Sequence, residues 1–167
     1  MTNIYLTKIR KQKYLQDFAN NVLPFNRIDI WKLDKGLESI LIKINENDHI
    51  QSLYSKKDAF NKPEIRHESY IEFCYSSDVE LILFRDIIPK MIFDFNKDFE
   101  SKLYYDFYWP RQNSNFSKDI EPLGLGCVDD ETYFFINTIR ITLESDHKQI
   151  HQCFWKRIEE TLSSIKP

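Results

Sequence analysis

Glu100-Ser101-Lys102 is an acidic-x-Lys string with Asp94 a few residues upstream. Mg²⁺-dependent nucleases of the restriction type set an Asp and a Glu-x-Lys at adjoining strand ends, where they hold the ion and orient water. In this chain Asp94 and Asp98 fall on a helical pattern beside Phe95 and Phe99. With 26 acidic and 23 basic residues, Glu-x-Lys also arises easily by chance. His147 and His151 stand four apart, a spacing that can hold a metal on one helix face. The string His-Lys-Gln-Ile-His, however, lacks the glutamate of a zinc protease, and no third ligand is evident. Both histidines are expected at the surface or half-buried. Cys153 follows His151 by two and falls on a different helix face, which argues against a Cys/His nucleophilic pair. Gly124-Leu125-Gly126 runs on into Cys127, Val128 and Asp129, so neither a dinucleotide fingerprint nor a P-loop is present. No Gly-x-Ser-x-Gly elbow occurs. These strings lead to the expectation of no catalytic residue, no metal and no cofactor.

The densest cluster of chemistry is aromatic. KLYYDFYWPR, residues 102–111, carries five rings between Lys102 and Trp109 and stops at Pro110. A period of two points Leu103, Tyr105, Phe107 and Trp109 one way, and Tyr104, Asp106 and Tyr108 the other. The first set suits a core, where each large side chain contributes roughly 1.5–3 kcal/mol on burial. The second set flanks a carboxylate with two phenols, and tyrosine offers wide contact with few rotors to freeze. Bases could stack on such rings, but Asp106 would repel a phosphate backbone and few basic residues lie nearby. Tyr104, Asp106 and Tyr108 are therefore expected to meet a protein partner, helped by the acidic run Asp129, Asp130 and Glu131.

Composition narrows the classes further. A chain of 167 residues that is 42% hydrophobic and 29% charged reads as a single α+β domain spanning 1–167. A net charge of −3 speaks against a protein built to hold nucleic acid. Lys8, Arg10, Lys11 and Lys13 crowd the first helix and are expected to be a solvated face. No apolar run approaches the ~20 residues of a membrane span, and the opening MTNIYLTKIRKQKYLQ lacks a signal-peptide core. Three widely spaced cysteines do not make a disulfide framework, so a reducing cytoplasm is expected.

The elements that must position these residues follow from periodicity. Residues 4–22 read as a helix striped by Tyr14, Leu15, Phe18, Ala19 and Val22, ended by Pro24. Ile28 and Ile30, then Ile40, Ile42 and Ile44, read as a hairpin about Asp34-Lys35-Gly36. Asp48 is placed to cap a short helix carrying Ile50, Leu53 and Tyr54. Residues 56–69 read as a loop. Tyr70–Tyr75 and Val79–Phe84 read as a second hairpin turning at Ser76-Ser77-Asp78. Ile88, Ile92, Phe95 and Phe99 make a helix stripe with Pro89 in its first turn. Strands are expected over Thr132–Ile136 and Ile139–Leu143 with a break near Asn137. A last helix, 146–165, carries Ile150, Phe154, Ile158, Leu162 and Ile165, with Asp146 and Gln149 placed for a capping box. The result is α+β, a mainly antiparallel sheet of hairpins with N-terminal, middle and C-terminal helices packed on one face.

Function at this stage is an expectation of class. A small acidic cytosolic protein whose exposed side chains suit a macromolecular partner fits an immunity protein that neutralises a toxin, such as a basic nuclease, by direct binding. A dedicated chaperone of a secreted effector, and a metal-dependent nuclease or other enzyme without a recognisable signature, are the alternatives.

Overall fold

The computed structural model describes residues 4–19, 35–61, 66–108 and 136–167. In chain order the elements are helix α1 (Lys8–Ala19), helix α2 (Lys35–Asn45), strands β1 (Ile50–Lys56) and β2 (Glu68–Tyr75), helix α3 (Ile88–Asp98), strands β3 (Lys102–Tyr108) and β4 (Thr138–Glu144), and helix α4 (Lys148–Ser163). The strands form one antiparallel sheet in the order β1-β2-β4-β3, so the last strand inserts between the second and third. The protein is α+β, with helices packed on the sheet, as the periodicity implies.

Period two decides which face is dry. Ile71, Phe73 and Tyr75 of β2, Ile139, Ile141 and Leu143 of β4, and Leu103 of β3 are buried. They join Leu37, Leu41 and Ile44 of α2, Met91 and Phe95 of α3, and Phe154, Ile158 and Leu162 of α4 in one apolar cluster. Phe95 and Phe154 meet edge to face, with centroids 6.5 Å apart, which ties α3 to α4. The predicted stripe of the last helix is therefore the real one. Its capping box is not: His147 is the N-cap, with no side-chain cap bond.

Three predicted elements are corrected. The second half of the first hairpin is helix α2, because Leu37, Leu41 and Ile44 lie at i, i+4 and i+7 and all are buried, while Ile42 is 46% exposed. The other half, 28–34, lies outside the described residues. The short helix around Ile50 is strand β1, pinned at its start by side chains of other elements. Asn45 accepts the Ser52 N–H (2.8 Å), and the Lys11 ammonium donates to the Ile50 carbonyl and to Gln51 Oε1. A bulge between Ser52 and Tyr54 leaves Leu53 as the extra, buried residue. The strand expected over Val79–Phe84 is helical instead. Val79 and Leu83 are buried at i, i+4, and Leu81 between them is 67% exposed.

That last segment is a 3₁₀ turn (Ser77–Val79), a helical turn (Glu80–Ile82) and a π-helical turn (Leu83–Ile87) running straight into α3. Pro89 stands just beyond the π turn, where it has no N–H to give the preceding ladder, and the wider turn absorbs its ring. Helix α1 also differs from its predicted face. Tyr14 is fully buried, Leu15 is 38% exposed, and Arg10 and Lys11, expected in water, are buried. Lys11 also donates to the Asn45 carbonyl (2.8 Å), and burial lowers its pKa to about 8. Asn137 gives its N–H to the Ile4 carbonyl (2.8 Å) just before β4 starts, close to the expected break. Residues 132–135 lie outside the described residues.

Candidate functional site

The second face of the sheet is polar, and antiparallel register arranges it in rungs. One rung crosses all four strands as Tyr54, Glu72, Arg140 and Asp106. The next carries Lys56, Tyr70, Thr142 and Tyr104, and another ends in Thr138 and Tyr108. Tyr104, Asp106 and Tyr108 thus stand together on one face of β3, as period two requires. Asp106 is exposed, and the two tyrosines are half-buried. Asp129, Asp130 and Glu131 lie outside the described residues. On the opposite side of β3 Leu103 is buried, but Tyr105, expected in the core, is 39% exposed because its strand is the outermost of the four.

Each phenol and charge on this face has a fixed setting. The Tyr104 hydroxyl donates to Glu144 Oε1 (2.9 Å), and Arg66 donates to the other oxygen of Glu144. Burial, then the Glu144 bond, pushes the Tyr104 pKa up to about 12. Burial pulls Glu144 the opposite way from its donors, and Tyr104 and Arg66 together hold it below the usual carboxylate range. Glu72 is fully buried and accepts from Arg140 Nε (2.8 Å), while the guanidinium lies 4.1 Å from the centroid of the Tyr70 ring. Burial disfavours the Arg140 charge, and the Glu72 carboxylate outweighs it, so Arg140 is held above its ordinary pKa. Tyr108 is raised by burial and next by Asp106. Tyr104, Tyr108 and Arg140 are thus held protonated and Glu144 ionised near neutrality, and the bonds among them fix a pattern of rings, donors and charges.

Arg140, Glu72, Tyr70 and Glu144 were missed from the sequence. The signal was present in the alternation of TIRITLE and ESYIEFCY, whose polar members share the outward parity of Tyr104 and Asp106.

The strings read for catalysis lie elsewhere. Glu100 and Lys102 line an open cleft of about 460 Å³ with Arg66, His67, Glu144 and Asp146. Asp94 is engaged with Lys90 on α3 (3.3 Å), and among the described residues no three His, Cys, Asp or Glu are placed to hold a metal. His147 is exposed as expected, whereas His151 is buried, a correction. Its Nε2–H donates to the Ser145 carbonyl (2.7 Å), which leaves Nδ1 to accept from the Ser69 hydroxyl (2.7 Å). Both ring nitrogens are committed, so His151 has no atom to share with His147 on a metal. Beside it Asp58 accepts from the Phe60 and Glu68 N–H groups and pairs with His67 Nδ1 (3.1 Å). The Phe60 ring stacks on His67 at 4.1 Å and meets His151 edge to face at 4.9 Å. Cys153 is exposed; Cys74 is buried, and burial raises its thiol to about 12.

Neither family models, curated proteins nor solved structures offer this chain a match.

Proposed function

We propose that this chain is a protein-binding protein of the immunity type, which neutralises a toxin by direct, tight association through the outward face of β3. One observation carries the reading. Tyr104, Asp106 and Tyr108 stand in register with an arginine already oriented by Glu72 and stacked on Tyr70. Tyrosine and arginine dominate binding hot spots, and side chains fixed before binding lose little entropy on contact. Asp106 extends beyond Arg140, whose charge is taken up by Glu72, so the exposed end of the rung is acidic. A basic toxin surface is complementary to it and is drawn in faster for that reason.

The test is co-expression with the product of each gene that adjoins this one. The wild-type chain is expected to restore growth and to co-purify with one folded toxin. Replacing Tyr104, Asp106 and Tyr108 by Ala is expected to weaken the complex about 100-fold or more, from at least ~2 kcal/mol for a hot-spot residue plus smaller losses at its neighbours. A complex of unchanged affinity refutes the assignment of the face, and the absence of any toxin partner refutes the class. A dedicated chaperone is the second reading, favoured by the position of β3 as an outer strand among the described residues. In that case an extended effector segment co-purifies instead of a folded toxin.

A further inference from the structure

Among the described residues the two margins of the sheet are finished differently. At β1 the edge groups are taken by neighbours: Ser52 N–H by Asn45, and the Ile50 carbonyl by Lys11. At β3 a side chain does the same for one residue. The Leu103 N–H donates to Asn96 Oδ1 (2.8 Å), and Asn96 Nδ2 donates to the Leu103 carbonyl (2.9 Å). Asn96 is on α3, so the backbone groups of Leu103 point away from β4. Backbone direction alternates along a strand, and the N–H and C=O of Tyr105 therefore point the same way, past the reach of Asn96. The Tyr105 ring is 39% exposed beside Phe84 (centroids 6.3 Å), and Leu81, three residues before Phe84, is 67% exposed. The Tyr105 rung thus has aromatic rings on one face of the strand and the Asp106 carboxylate on the other.

We propose that this margin is a strand-addition site: an extended segment of a partner protein pairs antiparallel to β3 at Tyr105, with apolar side chains flanking a Lys or Arg set opposite Asp106. The inference rests on the protein-partner reading and adds the mode of contact. A second copy of this chain meets an obstacle in the registers centred on Tyr104, Tyr105 and Asp106. Antiparallel self-registers with Tyr105 opposite itself or opposite Leu103 need the groups that Asn96 already occupies. The next register sets Asp106 against Asp106, and like charges directly opposite repel. A hetero-partner with a basic residue at that position meets neither obstacle, and backbone pairing with alternate side-chain pockets is an established way to hold an extended peptide.

The probes are two acetylated, amidated pentapeptides, Thr-Val-Lys-Val-Thr and Thr-Val-Glu-Val-Thr, titrated at millimolar concentration into the ¹⁵N-labelled full chain. The Lys peptide is expected to shift the Tyr105 amide and slow its exchange, and to bind about fivefold or more tightly than the Glu peptide. In Asn96→Ala, where the Leu103 edge groups lose their cover, protection is expected to extend to the Leu103 amide. An unmoved Tyr105 amide with both peptides, equal affinities, or changes centred on β1 overturn the proposal. Those outcomes leave the toxin co-expression result where it stands, so the two readings fail separately.

Discussion

Replacing Arg140 by Leu tests whether the polar face is built around one ion pair. Glu72 is fully buried, and the Arg140 side chain is 18% exposed, so the pair sits at the dry end of the range. Removing one partner of a buried pair costs about 3–5 kcal/mol, because the remaining charge keeps its desolvation penalty and loses its counterion. The partial exposure of Arg140 argues for the lower end, about 3 kcal/mol. For a chain of this size that corresponds to a fall in Tm of roughly 6–12 °C. With a urea dependence of about 2 kcal/mol/M, the midpoint falls by about 1.5 M. The double variant Glu72→Leu with Arg140→Leu is expected to recover most of the loss, since a buried pair exchanged for apolar side chains is often neutral or better. Urea unfolding of the three proteins decides it. A single-variant loss below about 1 kcal/mol, or a double variant no more stable than the single, refutes the pair as the organiser of this face.

Two further outcomes follow from the cluster at the other end of the sheet. Burial lowers the His151 pKa from its ordinary 6.5, so the unfolded chain takes up a proton at a higher pH than the folded one does. The stabilising contribution is complete above pH 6.5 and is lost as pH falls through the folded value. The wild-type urea midpoint is therefore expected to drop between pH 7.5 and 5, and His151→Gln to remove that part of the slope; an identical slope in both sinks the assignment. Phe60 holds φ at 55°, a region that costs a residue with a Cβ about 1–2 kcal/mol, while its ring covers both histidines. Phe60→Ala loses the ring and keeps the backbone penalty, so Phe60→Gly is expected to be the more stable of the two by about 1 kcal/mol, and the reverse order in thermal melts contradicts the strain.

Where the sequence misled, two periods were in competition. Ile40, Ile42 and Ile44 alternate like a strand, yet Leu37, Ile40, Leu41 and Ile44 also make a helix stripe, and only the exposure of Ile42 separates the two. Val79, Leu81 and Leu83 present the same ambiguity, settled again by an exposed Leu81. Strand β1 was illegible for a different reason: Gln51, Ser52 and Ser55 are buried, so no hydrophobic alternation exists to be read. The burial of Gln51 and Ser52 is made tolerable by Lys11 and Asn45, which reach them from other elements. The last helix and β3 were legible because each stripe had one period. Tyr104, Asp106 and Tyr108 came from that same clean period. Arg140 and Glu72 did not, because residues 68 apart in sequence meet only once β4 inserts beside β2.

That insertion also sets the charge of the face. Had β3 paired with β2 in chain order, Asp106 and Glu72 would belong to adjacent strands and oppose each other across the rung. With β4 between them, Arg140 separates the two carboxylates and gives its Nε to the buried one. The inner acid is neutralised by its partner, and the outer acid is left at the margin facing water. A single cation thus stabilises the sheet interior and leaves Asp106 exposed at the margin, with Lys102 on the same face of β3. On that face burial and neighbouring charges raise the pKa values of Tyr104 and Tyr108, the Glu72 carboxylate raises that of Arg140, and Glu144 is held low, so these four groups keep their charge states near neutrality. Rings and charges held in place by such bonds have little entropy left to lose when they meet a complementary surface.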